Sequence, residues 1–174
     1  MITNLANKLT IVRIILSPMI LALLINKLYS FALVFFCLAA LTDYLDGYIA
    51  RTFNQETKLG ILLDPIADKV LVIPMLIFFC LEFELNIYIV SALIMKDLVV
   101  TVYRLKEANK NEQYNQSDIN GKLKTIILYL ILLISIFLLI TGFRGALIYY
   151  ILDTLLLIAL AISIFSPFDS QAKT

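Results

Sequence analysis

The sequence predicts an all-α integral membrane protein of six transmembrane helices, with its active site at the cytoplasmic ends of helices two and three. Three features of the chain predict it. First, 61% of the 174 residues are hydrophobic, the mean hydropathy is +0.95, and charged residues make up 16%, against roughly 25% in a soluble domain. Second, the apolar residues fall into six segments, each near the roughly 20 residues a helix needs to cross the hydrocarbon core. Third, the polar residues inside those segments are concentrated in the second, third and fourth. Residues 1–174 read as one transmembrane domain, the natural count for this length.

The segments, in order, are 9–27, 30–50, 59–81, 86–105, 123–142 and 146–166. The first lies between Arg13 and Lys27 and relies on both side chains snorkelling towards the interface. No small-x-small cleavage site follows it, so it reads as a retained span rather than a signal peptide. The second and third are free of charge only in the halves away from their aspartates. The fourth carries Lys96 and Asp97, which could form a neutral internal ion pair and whose role the sequence leaves open. The fifth has no charge from Thr125 to Phe143, and the sixth carries only Asp153. Connections are short except for "KEANKNEQYNQSDINGKLK", a polar stretch that reads as a solvated loop or surface helix.

Lysine and arginine set the orientation. With six spans, Lys8, Arg13, Arg51, Lys58, Lys69, Arg104, Lys106, Lys110, Lys122, Lys124 and Lys173 fall on the side of the termini, and only Lys27 and Arg144 on the other. The termini and the aspartates therefore face the cytoplasm, in a multi-pass protein of the cell membrane. The net charge of +1 says nothing about nucleic acid or acidic partners, and no nucleic-acid partner is expected of a membrane-embedded chain. Cys37 and Cys80 sit in apolar runs without CxxC spacing and read as small buried hydrophobes. The chain has no histidine, which excludes histidine acid–base chemistry and leaves Asp or Glu as base or metal ligand.

Asp43 and Asp46 are three residues apart and Asp64 and Asp68 four apart, so each pair shares a helix face. The short link from Arg51 to Leu59 makes the two helices antiparallel neighbours, and Gly47, Ala50, Gly60 and Ala67 permit close approach. Four converging carboxylates repel one another and take up protons; two divalent cations would cancel their charge. All-oxygen ligation suits Mg²⁺ or Mn²⁺, and a two-metal site is a device for phosphoryl-type displacement. Arg51 could then clamp phosphate. Two plainer readings stand beside this one. The acids could be interfacial residues at helix ends, or part of a cation transporter, although transporters place such groups nearer the midplane.

Asp43-x2-Asp46-Gly47-x2-Ala50-Arg51-x8-Gly60-x3-Asp64-x3-Asp68 resembles the full signature of the CDP-alcohol phosphotransferase family at every specified position. The resemblance implies an enzyme in which a hydroxyl attacks the β-phosphate of a CDP-activated lipid and CMP leaves. It implies that Asp43 and Asp64 bridge two divalent ions, that Asp46 holds the first, and that Asp68 holds the second and is the catalytic base. It implies that Gly47, Arg51 and Thr57 contact the CDP group. The opening "NLANKLTIVRIILSP" resembles the family's N-terminal strip, which adds Asn7 and Thr10 on the cytidine side, or as mere caps of the first helix.

"NKLTIVRIILSP", "LGILLDPIADK" and "GKLKT" together resemble the phosphatidylglycerophosphate synthase branch of the family. That resemblance implies CDP-diacylglycerol as donor and glycerol 3-phosphate as acceptor; the acceptor's dianion needs cations, and Arg104, Lys122 and Lys124, near the cytoplasmic ends of segments four and five, are the expected pocket. Lys122 and Lys124 could equally be positive-inside anchors. Lys96-Asp97 stands where that branch usually has Arg-Glu, and "TIILY" where it usually has a Gln after Lys-Thr. A cardiolipin synthase-type transfer to phosphatidylglycerol, or to another polyol, is the alternative. Members of the family are often homodimers, and a homodimer is the assembly the resemblance implies.

Overall fold

The structure is a computed structural model of the chain. It describes residues 5–52, 58–110, 119–143 and 145–171, and the side chains of 10–43, 66–102, 123–143 and 145–164. Six helices account for nearly all of the described residues, and none of these is in a strand: α1 (Leu5–Ile25), α2 (Tyr29–Thr52), α3 (Lys58–Glu82), α4 (Ile87–Lys110), α5 (Ile119–Thr141) and α6 (Ala146–Gln171). Each predicted segment has its helix. α1 starts four residues earlier than its apolar run, because Leu5 to Lys8 extend the helix beyond the stretch that hydropathy marks.

Tight turns join α1 to α2 and α3 to α4. After α1 the Lys27 amide donates to the Leu24 carbonyl (3.0 Å) and the Leu28 amide to the Leu23 carbonyl (2.9 Å), with Lys27 at φ 59°. This is a Schellman cap, whose left-handed residue is usually glycine. α3 ends the same way: Glu84 has φ 50° and the Leu85 amide reaches the Cys80 carbonyl at 3.1 Å. Gly142, with φ 66°, follows α5. Asn86 caps α4, its Oδ1 accepting from the Tyr88 amide at 3.1 Å. The Asn86 amide in turn donates to Asp153 Oδ1 at 3.1 Å. The lone charge of the sixth segment therefore holds the turn that starts the fourth helix.

The chain divides into two compact units. The first comprises residues 1–75 and 133–143. In it α1 packs against α2, and Ile20, Leu24, Ala32, Phe36, Ala39, Leu71 and Met75 are buried. Ser17 Oγ, itself buried, donates to the Val70 carbonyl and ties α1 to α3. Pro74, four residues on, has no N–H to give that carbonyl, so Ser17 supplies the donor that the helix lacks.

The second unit comprises residues 76–132 and 144–174. In it α4 packs against α6. Phe79 stacks on Phe83 (centroids 5.9 Å apart), and Phe83 meets Tyr149 of α6 at 5.9 Å. Lys96 Nζ donates to Ser163 Oγ at 2.7 Å, while Asp97 pairs with Lys124 of α5. Lys96 and Asp97 thus each have a contact on another helix. Adjacent helical residues point about 100° apart, so each reaches a different neighbouring helix.

Leu123–Thr141 and Ala146–Ile164 are long and apolar enough to cross a membrane, and Thr10–Ile25 and Tyr29–Asp43 are shorter apolar stretches. Cys80 is buried as expected, but Cys37 is exposed, on a helix whose Val34, Leu38 and Leu41 are exposed too. An apolar run has no polar face to mark which side points outward, so sequence alone could not assign Cys37 a side.

Candidate active site

The site is built from the face of α1 that packs inward. Thr10, Arg13 and Ser17 recur at spacings of three and four, and all three are buried, Arg13 to 1% exposure. Ile11, Val12 and Ile15, between them, are exposed. This end of α1 therefore carries its polar residues inward and its apolar residues outward. That is the reverse of a soluble amphipathic helix, and polar groups turned inward in an apolar helix mark a candidate site.

Arg13 Nη1 lies 2.5 Å from Asp43 Oδ1 on α2. The Arg13 side chain is sealed, whereas that of Asp43 keeps 35% exposure. Arg13 is thus no snorkelling anchor. Its guanidinium is desolvated, and a carboxylate compensates it. Counting cations by membrane side treats Arg13 as surface charge, and its burial corrects that. The spacing of Thr10, Arg13 and Ser17 inside an apolar segment is the signal in the sequence that points to it.

Asp68 lies on α3, and its Oδ2 accepts from Lys69 Nζ at 2.9 Å. Its Oδ1 is buried and has no hydrogen-bond donor among the described residues. A buried carboxylate oxygen with vacant lone pairs costs free energy unless a proton, a donor or a cation meets it. Arg13 and Ser17 are one turn apart on α1, about 6 Å along its axis. They touch Asp43 on α2 and Val70 on α3, so α1 braces both aspartate-bearing helices within the first unit.

The backbone is helical through all four aspartates, as their spacing requires. The side chains of Asp46, Gly47, Arg51 and Asp64 lie outside the described residues, as do those of Asn7, Arg104 and Lys122, and Thr57 lies outside them entirely. Thr10 is described: it sits inside α1, not at its start, so it is no helix cap. Lys124 is described too, in its ion pair with Asp97, which is itself 5% exposed. It is therefore a partnered internal cation rather than a free surface anchor. No group of three or more metal-ligating side chains is gathered among the described residues; the buried, unsatisfied Asp68 Oδ1 is by its chemistry an oxygen that a hard divalent cation takes.

The chain matches the family model described as CDP-alcohol phosphatidyltransferase over residues 3–165. The chain belongs to this family. It is therefore a transferase of phospholipid biosynthesis rather than a transporter. Among curated proteins it is 37% identical over 133 residues to the CDP-diacylglycerol–glycerol-3-phosphate 3-phosphatidyltransferase of Aquifex aeolicus (strain VF5), covering 75% of this chain and 74% of that one. The protein of the same name from Wigglesworthia glossinidia brevipalpis is 35% identical over 131 residues, covering 71% of each chain. That of Escherichia coli (strain K12) is 46% identical over 72 residues, covering 40% of each.

Proposed function

We infer that this chain transfers the phosphatidyl group of CDP-diacylglycerol to glycerol 3-phosphate. The acceptor hydroxyl oxygen attacks the β-phosphorus, the bond from that phosphorus to the CMP oxygen breaks, and CMP leaves. The hydroxyl proton passes to Asp68. The observation that carries this chemistry is Asp68 Oδ1, a buried acceptor without a donor among the described residues. The choice of donor and acceptor rests on the relatives' shared name.

Asp43, Asp46, Asp64 and Asp68 are the residues that would hold two divalent ions, Mg²⁺ or Mn²⁺. Such ions neutralise charge on the diphosphate and on the leaving oxygen. Asp43 and Asp64 would bridge them. Gly47 allows the CDP group close to the backbone, Arg51 pairs with its phosphate, and Thr57 offers a hydroxyl. Asn7 and the buried Thr10 stand on the cytidine side. Arg104 and Lys122, with Lys124 beside its Asp97 partner, bind the acceptor's phosphate.

All six helices would span the cytoplasmic membrane, with both termini in the cytoplasm. The outward apolar faces of α1 and α2 support this, as does the uneven distribution of lysine and arginine.

The test is an acceptor panel: purified protein, CDP-diacylglycerol and Mg²⁺, with glycerol 3-phosphate, phosphatidylglycerol or inositol phosphate supplied singly. CMP release with phosphatidylglycerophosphate as product, in the glycerol 3-phosphate reaction alone, is expected. Cardiolipin formed from phosphatidylglycerol would move the assignment to that acceptor.

A further inference from the structure

We propose that Arg13 is a positioning residue for Asp43, holding its carboxylate from α1 in the orientation in which it takes a divalent cation. The inference rests on the reading of Asp43 as a metal ligand. Arg13 is 1% exposed and lies 2.5 Å from Asp43 Oδ1. A cation inside an apolar segment is expensive and needs a partner or a purpose. Stability alone does not require this pair, because a buried ion pair can often be replaced by apolar side chains without loss.

The geometry suits a positioning role. A carboxylate has about four lone-pair sites. Arg13 engages Oδ1, and the 35% exposure of Asp43 leaves the rest of the group accessible. Arg13 Nη1 meets Oδ1 as a close ion pair rather than as an aligned hydrogen bond, and the bulk of the buried planar guanidinium restricts how the carboxylate turns. Arg13 is itself fixed, because one turn further along α1 Ser17 is bonded to the Val70 carbonyl of α3. Two neighbouring helices thus set where Arg13 stands, and Arg13 sets how the aspartate on one of them turns. In metal sites, partners that orient a ligand commonly govern affinity roughly 10–100-fold.

The sign of the effect separates positioning from plain charge. A cation beside a metal site repels the metal, so by Coulomb's law alone Arg13→Gln would tighten metal binding. If Arg13 positions Asp43, the same change weakens it. The experiment titrates Mn²⁺ into the full-length protein in lipid nanodiscs and reads free Mn²⁺ by electron paramagnetic resonance. It compares wild type, Asp43→Asn, Arg13→Gln, Arg13→Lys and the Arg13→Gln/Asp43→Asn double variant. Expected are tight binding by wild type, loss in Asp43→Asn, and roughly 10–100-fold weaker binding in Arg13→Gln. Arg13→Lys, which keeps the charge and loses the planar guanidinium, should fall between wild type and Arg13→Gln. The double variant should bind no worse than Asp43→Asn alone.

Wild-type or tighter binding in Arg13→Gln, with Asp43→Asn impaired, would overturn the proposal and leave the ligand reading intact. So would a further loss in the double variant. Unimpaired binding in Asp43→Asn would overturn both. If Arg13→Gln does not fold, Arg13→Lys decides: weaker binding supports positioning, and wild-type binding overturns it.

Discussion

Asp68 is asked to do two things, and its two oxygens are differently placed to do them. Oδ2 has Lys69, whereas Oδ1 is buried without a donor among the described residues. Asp68→Asn keeps the size of the group and removes its basicity. We predict a fall in kcat of about 10²–10⁴-fold, the usual cost of losing a general base, with CDP-diacylglycerol binding retained. Near wild-type kcat across a pH series would leave Asp68 a ligand only. Chelation should likewise abolish turnover and added Mg²⁺ or Mn²⁺ restore it; full activity in excess EDTA would remove metal from the mechanism. The aspartates are legible in the sequence because charge is costly in an apolar chain and helical spacing gathers it on one face. Arg13 is marked only by its spacing from Thr10 and Ser17, a signal overridden because a basic residue near the end of a span reads by default as an interfacial anchor. Its burial depends on a partner 30 residues away. Lys124 is hidden in the same way, since nothing local in "GKLKT" points to Asp97 of α4.

Among the elements, α3 depends on α1 for a hydrogen bond. Pro74 leaves the Val70 carbonyl without its helical donor, and Ser17 supplies one from the neighbouring helix. Ser17→Ala should therefore cost about 1–3 kcal/mol, the penalty for an unsatisfied part-buried group, read as a lower thermal midpoint in detergent. In a Pro74→Ala background the restored N–H can serve Val70, so the same change should cost clearly less. Equal costs in the two backgrounds would show that Ser17 matters for some other reason. The helix ends make a second case. Glu84 holds a left-handed conformation that costs a side-chain-bearing residue about 1–2 kcal/mol. Glycine gives back part of that gain through its freer unfolded chain. Glu84→Gly should therefore raise the thermal midpoint modestly; a lower midpoint would mean that the glutamate makes a compensating contact. The helices themselves are legible because apolar length sets them. Their caps are not, since neither Lys27 nor Glu84 is a residue that marks a left-handed turn.

For the whole molecule, the direction in which side chains point constrains the surroundings more than helix length does. Only two stretches pass a simple length and hydropathy test among the described residues. Yet α1 buries Arg13 and Thr10 while exposing Ile11, Val12 and Ile15, and α2 exposes Phe31, Val34, Leu38 and Leu41. In water this arrangement would carry two penalties, a desolvated cation and a hydrated apolar face. In lipid the second vanishes, and the first is met by Asp43. The same logic fixes what an orientation experiment should see. If all six helices span, the turn at Lys27 and the start of the long polar connection at Lys110 lie on opposite sides. In a Cys37→Ala/Cys80→Ala background, Lys27→Cys should react with an impermeant maleimide applied to intact cells, and Lys110→Cys only after lysis. Labelling of both from outside would break the six-span arrangement.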